Sequence, residues 1–418
     1  MYILGRHCVM VSCVIGVMAV LPLPSRAGPA VVSLSTPLQI EVSGDPAPIS
    51  VLRRAIRIAA HSAFPELQDA EIALAATRPT LTALPSGRSM HVRADLAVMT
   101  PGTGTIVWVV SVTLVNVTVP WHDAQQLFVS DSPETVDTDG ILYSGIIRGG
   151  RAARILYHHQ NAKATRDMWL SLGLTNTSPD PVQVCIFGAT GGPAADELFA
   201  GHFAARGFLE QYQARAGIVV NVPPAGFVPI LATKVPPDQV ASGLAQIAVL
   251  RGSGVQVQLE AQFPRIGEPP VFSRVLPMDT QHQRGVFGAP LVQRNLSYTV
   301  AGPVAQLWLG ADQDLLRDEM NGAPLQGNYG VLYMFDVRLT NPGPDPRVVA
   351  LIVHANGGPA AAAIVVNGTL EDLAMVQPDA PRPAATLRIP AASSVDAHIS
   401  AMGEAGSYYP ILMTVGPP

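Results

Sequence analysis

Apolar and polar residues alternate with period two through much of this chain, most plainly in Leu38–Val42, His91–Met99 and Thr105–Val119. Such alternation predicts half-buried β-strands. In Thr105–Val119 the β-branched or small residues Val107, Val109, Ser111, Thr113, Val115, Val117 and Val119 fall on one face, which suits a pleated surface. One early segment follows a different period. Leu52, Ala55, Ile56, Ala59, Ala60 and Ala63 recur at helical spacing. Asp45-Pro46 marks the expected helix start, with Asp as cap and Pro in the first turn. Arg53, Arg54 and Arg57 fall on the opposite face, read as a solvated one. A helix followed by strands makes residues 28–120 an α+β domain.

The remainder reads as an internal repeat. Leu174-Thr175-Asn176-Thr177-Ser178-Pro179-Asp180-Pro181 returns as Leu339-Thr340-Asn341-Pro342-Gly343-Pro344-Asp345-Pro346, an offset of 165 residues. Each copy runs on into an apolar segment, Val182–Phe187 or Val348–Val353, and then reaches Gly-Gly-Pro-Ala at 191–194 or 357–360. Val222-Pro223 matches Ile389-Pro390. Pro and Asp fix a turn between two strands through a restricted φ and side-chain-to-backbone bonds. Short strands between Gly and Pro turns then predict an antiparallel, Ig-like β-sandwich in each copy. The fold class expected is therefore mainly β: the N-terminal α+β domain, a first sandwich at 121–265 and a second at 266–418. Leu198, Phe199, Phe203 and Tyr212 add a helix to the first copy, with a weaker helical counterpart at Ala360–Leu373 in the second.

Composition places the chain. Gly and Pro number 37 and 38 of 418 residues, below the ~25–30% of low-complexity chains, so a folded, turn-rich protein is expected. A net charge of −5 without a Lys/Arg cluster excludes a basic nucleic-acid binder. Residues 1–27 read as a secretory signal peptide: Arg6, the apolar Val9–Leu21, then Ser25-Arg26-Ala27 with small residues before the cut. This stretch of 13 residues, broken only by Ser12 and Gly16, falls short of the ~20 that span a membrane. No transmembrane segment is expected in the mature chain, and the location is extracytoplasmic: periplasm, cell surface or secreted. Cleavage removes Cys8 and Cys13 and leaves Cys185, read as a buried small residue.

Candidate chemistry is sparse. His158 and His159 are adjacent in Tyr157-His158-His159-Gln160, and His202 lies on the helix of the first copy. Imidazoles converging with a carboxylate make a metal site, so these three are the candidate metal ligands. Neighbours on a strand point to opposite faces, which opposes joint ligation by His158 and His159. Asp131, Glu134, Asp137 and Asp139 form an acidic stretch without EF-hand spacing, read as a solvated turn. No Gly-x-Ser-x-Gly elbow or phosphate-binding loop occurs, and no catalytic residue or resident cofactor is assigned. Trp121, Tyr408 and Tyr409 are the candidate binding aromatics, near a domain junction and near the end of the chain.

The order of helix, strand, Leu84-Pro85 segment and two long strands from Val51 to about Val119 resembles the N-terminal domain of the flagellar P-ring assembly chaperones. That resemblance implies a periplasmic setting; the chaperones' second domain has no counterpart after Val119. Leu127–Glu134 and Ala153–Asn161 resemble exported bacterial proteins of unknown function, which implies location rather than activity. The function expected is non-catalytic binding, assembly or scaffolding, with a protein or cell-envelope component as partner. The alternative is a metal-dependent extracytoplasmic enzyme centred on the histidines of the first copy.

Overall fold

The alternating segments form strands and the early amphipathic segment forms a helix, so the chain is mainly β, with two α-helices among the described residues. The computed structural model describes residues 31–33, 37–64, 70–75, 80–99, 105–263 and 274–418. The expected signal peptide lies outside them. The N-terminal part comprises β1 (Val31–Ser33), β2 (Leu38–Val42), α1 (Ile49–Ala63), β3 (Glu71–Leu74), β4 (Ser89–Met99) and β5 (Thr105–Asn116). Helix α1 begins later than Asp45-Pro46 implied. Ala47 exchanges backbone hydrogen bonds with Leu84 and holds the preceding turn extended, so Pro48 becomes the N-cap. On β5 the buried face is Val110, Val112, Leu114 and Asn116, while the valines at odd positions stay half-exposed.

The next part holds β6 (Gln126–Ser130), β7 (Thr135–Val136), β8 (Gly140–Arg148), β9 (Ala152–Asn161), β10 (Met168–Thr175), β11 (Val182–Ala194), α2 (Glu197–Gln213), β12 (Ile218–Val222), β13 (Phe227–Val235), β14 (Val240–Arg251) and β15 (Gly254–Gln262). The last part holds β16 (Arg284–Phe287), β17 (Leu291–Thr299), β18 (Ala305–Leu309), β19 (Leu332–Asn341), β20 (Arg347–Ala355), β21 (Ala360–Val366), β22 (Thr369–Val376), β23 (Arg382–Ile389), β24 (Ser393–Met402) and β25 (Ile411–Gly416). Ala360–Leu373 is thus a hairpin, not a helix. Asn367 and Gly368 both take positive φ, 50° and 84°, between two strands, which is the turn an Asn-Gly pair favours. Burial of every residue from Ala360 to Val366 hides the alternation that would have marked a strand.

One long sheet joins the first two parts. Its order is β16-β6-β9-β14-β11-β12-β2-β5-β4-β3, with β1 on β5 and β7 on β9. Strand β2 carries it across the N-terminal junction by pairing with β12, and β16 adds itself antiparallel to β6. The sheet β13-β10-β15-β8 covers one face. Phe128, Ile155, Tyr157, Val184 and Ile247 fill that core, which continues to α1. The other face meets α2 and the last two sheets, β17-β19-β24-β21-β22 and β18-β25-β20-β23. There Leu127, Val129, Leu156 and Phe187 join Phe208 of α2 and Leu332, Phe335 and Ile364 in a second core. Residues alternate between the two cores along β6 and β9, as strand geometry requires. Among the described residues no helix is long and apolar enough to cross a membrane.

The two matching turns are built alike. Buried Asn176 donates its amide to the carbonyls of Asp180, Val222 and Pro223, and accepts from Ser178 N–H. Buried Asn341 donates to Asp345 and Pro390 and accepts from Gly343 N–H. Each side chain ties its turn to the strand across it. Truncating either removes these hydrogen bonds, each worth about 0.5–1.5 kcal/mol net, so Asn176→Ala and Asn341→Ala are each expected to cost about 1–3 kcal/mol. Urea denaturation of both variants checks this; a loss confined to one would show that the turns are not equivalent.

Candidate functional site

The three histidines singled out by sequence occupy three different environments. His159 is fully buried on the face of β9 toward the first core. Its Nδ1–H donates to Pro133 O at 2.9 Å, so Nε2 accepts from the Ser130 hydroxyl at 3.0 Å. Burial pushes its pKa down to about 3 against the hydrogen bond to Pro133, so it is a neutral, satisfied core residue. His202, on α2, lies between two carboxylates: Nδ1 is 2.8 Å from Glu404 and Nε2 is 2.6 Å from Asp372. Burial opposes its charge, yet hydrogen bonds and attraction from Glu404 and Asp372 raise the pKa to about 9. It is an imidazolium joining α2 to the last part of the chain.

His158 differs from both. Strand alternation turns it to the junction side of β9, and it is 3% exposed. Neither ring nitrogen has a hydrogen-bond partner. Burial, then the nearby His282 charge, push its pKa down to about 4, leaving a neutral imidazole with a free lone pair. A buried polar group without a partner is costly.

Its neighbours are acidic. A cleft of about 260 Å³ is lined by Asp131, Glu134, His158 and Glu197 from the middle part, and by His282, Tyr329 and Tyr408 from the last. Ligating atoms of Glu134, His158 and Glu197 lie within 4.8 Å of one another. The local chain explains each position. Asp131 and Glu134 lie in the loop after β6, which is pinned by Ser132 Oγ accepting Asp279 N–H at 2.9 Å and by Glu134 N–H donating to Asp279 at 3.0 Å. Glu197 opens α2 beside the capping Asp196, whose carboxylate accepts the N–H groups of Leu198 and Phe199.

Electrostatics in the cleft are unbalanced. Burial first, then repulsion from Glu134, Asp279 and Glu197, push the Asp131 carboxyl up to about 7 despite the attraction of His282. Burial, then the charge of Glu134 and a hydrogen bond with it, raise Glu197. Two carboxylates that share a hydrogen bond need a proton or a cation between them. His282 supplies part of the compensation: Nε2 lies 2.8 Å from Glu134 and Nδ1 3.1 Å from Asp279. Burial opposes its charge, but Asp279, Glu134 and Asp131 outweigh that and raise its pKa.

One imidazole and two carboxylates form the mixed nitrogen and oxygen donor set that first-row divalent metals accept. Metal–ligand bonds of about 2.0–2.2 Å would draw the donors somewhat closer than they stand. Glu197 is exposed and long enough to supply that movement. Glu134, Glu197 and His282 were not singled out as ligands by sequence. Glu134 sits in the acidic stretch read as a solvated turn, and no spacing rule connects it with Glu197 and His282. The binding aromatics are also dispersed. Trp121 stacks on Phe187 at 4.8 Å and donates Nε1–H to Asp123. Tyr409 donates its hydroxyl to Met402 O and accepts Glu404 N–H. Tyr408 is exposed and lines the cleft. Cys185 is buried and alone, with its thiol pushed up to about 11 by burial.

No protein-family model matches the chain, and no curated protein does. Among solved structures it is similar to tripeptidyl peptidase 2, at 11% identity and TM-score 0.18, over 78% of this chain and 26% of that one. The chain therefore spans about a quarter of that protein's length. Lac15 from a marine microbial metagenome matches at 10% identity and TM-score 0.13, over 92% and 100%. The PBSX exported protein XepA matches at 8% and 0.17, over 66% and 86%. Likenesses at these scores carry no argument about fold or activity.

Proposed function

We propose that this is an exported, extracytoplasmic binding protein of the cell envelope whose cleft between the sandwiches holds a divalent metal ion on Glu134, His158 and Glu197. The observation that carries the metal is His158, buried with both nitrogens unpartnered beside two carboxylates. Bacterial export rests on the pattern of residues 1–27. The two sandwiches are proposed to be copies of one Ig-like unit. Support comes from the matching Asn176 and Asn341 turns and from the neighbour orders β14-β11-β12 and β25-β20-β23. Helix α2 and the β21–β22 hairpin then occupy the same place in the two copies. All three ligands come from the first copy, so metal would fix the loop after β6 and the start of α2 beside Tyr408 of the second, and present that edge of the cleft to a protein or envelope partner.

Zinc titration by calorimetry on the full mature chain, stripped of metal, tests this reading. One ion per chain is expected, and excess zinc at about a hundred times Kd should add about 2.7 kcal/mol of stability. His158→Ala and Glu134→Gln should abolish the uptake while the fold persists. Absence of saturable uptake would overturn the reading. Co-sedimentation of the zinc-loaded and stripped forms with envelope fractions then tests the partner; equal retention of both would separate the metal from binding.

A metal-dependent enzyme is the second reading, favoured by the three-ligand set. Three protein ligands facing a cleft leave a coordination position open, the arrangement of catalytic rather than structural zinc. Turnover of ester, peptide or phosphoester probes that needs zinc and His158 would favour it over the scaffold.

A further inference from the structure

A second cavity, of about 190 Å³, lies where α1 packs over β13 and the middle of β11, away from the metal cleft. Arg54, Arg57, His61 and Ser50 of α1 line it, with Thr190 and Gln211 opposite. Every ionisable side chain on this wall is a base, and no Asp or Glu lines it among the described residues. Arg54 is half-buried and spends one N–H on Gly188 O at 2.7 Å; it forms no ion pair among the described residues. Gln211 is 4% exposed, and its carboxamide oxygen accepts Gly188 N–H at 2.9 Å. The amide nitrogen of Gln211 makes no hydrogen bond among the described residues. The carboxylate acting on Arg57 is Glu71, on β3, which also faces Lys234.

Two guanidinium groups on successive turns of one helix repel each other, and they lie beside a buried amide donor and two hydroxyls. A planar fork of N–H donors matches oxyanions with two acceptor edges. Arg54 and Arg57, three apart, project from the same side of α1. The sequence pattern assigned both to a solvated face; Arg57 is exposed there, whereas Arg54 is half-buried against Gly188 of β11.

We propose that this cavity binds a small doubly charged oxyanion, of the phosphate or dicarboxylate kind, between the guanidinium groups of Arg54 and Arg57, with the Gln211 amide as a further donor. The site is independent of the metal cleft and survives if that reading fails. It also makes α1 part of a binding site, not only the cover of the first core.

Calorimetric titration of the full mature chain with inorganic phosphate and, separately, with succinate tests it, in chelator so that metal plays no part. One anion per chain is expected for at least one probe, and its preference separates the two chemistries. Arg57→Gln, at the exposed rim, should weaken binding about tenfold or more, the loss of one charge-assisted contact. Arg54→Met should weaken it at least as far. Arg53→Gln, on the same helix but outside the lining, and His158→Ala should leave affinity unchanged. No saturable binding of either probe would overturn the proposal. So would equal losses in Arg53→Gln and Arg57→Gln, which would mean that the overall charge of the helix, not a site, attracts the anion.

Discussion

Arg154→Ala is expected to lower the unfolding free energy by about 3–5 kcal/mol, the loss of three buried hydrogen bonds from a charged donor at about 1.5 kcal/mol or less each. Arg154 is 2% exposed on the junction face of β9, one step along the row that continues through Leu156 to His158. Its guanidinium donates to Pro290 O at 3.0 Å, to Gly330 O at 2.8 Å and to Gln246 Oε1 at 3.1 Å, and lies 4.8 Å over the Phe208 ring. Pro290 and Gly330 lie in the last part of the chain, next to β17 and β19, and Gln246 and Phe208 in the middle part, on β14 and α2. Burial lowers the Arg154 pKa to about 10, so the group stays charged at neutral pH. Truncation takes the donor from Gly330 O and Gln246 Oε1 and leaves a void against Phe208, while Pro290 O keeps the Leu332 N–H at 3.0 Å. Arg154→Met restores the packing but not the donors, and should recover part of the loss. Denaturant unfolding followed by Trp fluorescence checks both. A loss under about 1 kcal/mol for alanine would place this residue among ordinary surface positions and remove it as a fastener of the junction.

The mainly β character could be read directly, because β-branched alternation survives wherever a strand has one wet face. It failed where both faces are covered. Ala360–Val366 has no polar positions to mark its period, and the small residues there imitate a helix. The sheet that joins β2 to β12 has no sequence signature either, since pairing between distant strands depends on backbone edges and not on side chains. His158 and His159 were visible as candidates, and alternation foretold their opposite faces. Glu197 and His282 were not visible: they come from a helix start and a loop brought to the cleft only by packing of the middle and last parts of the chain. Arg54 was misplaced for a related reason. A helical wheel identifies the face away from its own buried stripe, but not whether another element covers it.

Stability should fall as pH rises from about 6.5 through about 9, and His202→Gln should remove most of that slope. His202 is 1% exposed and held between Glu404, which is fully buried, and Asp372, which is partly exposed and also meets Arg206 at 3.3 Å. Its pKa is raised to about 9 in the folded chain, against about 6.5 unfolded. A raised folded pKa means that the native state holds the proton more tightly. The stabilisation is therefore fully present below about 6.5 and is lost as pH climbs through the folded value. The difference corresponds to about 3 kcal/mol, of which the Asp372 share is reduced by solvent screening. Asp131 and His282, also raised, contribute slopes of the same sign, so the quantity to compare is the wild-type curve minus the His202→Gln curve. That difference should be flat below about 6 and decline toward 9. Glutamine keeps a hydrogen bond but no charge, whereas His202→Ala also strands Glu404, whose other oxygen accepts Ala363 N–H at 2.6 Å. Alanine should therefore cost more than glutamine at every pH, by about 1–3 kcal/mol. Parallel wild-type and His202→Gln curves from pH 6 to 9 would show that His202 carries no net charge in the folded protein, and that neutral hydrogen bonds alone hold α2 to Asp372 and Glu404.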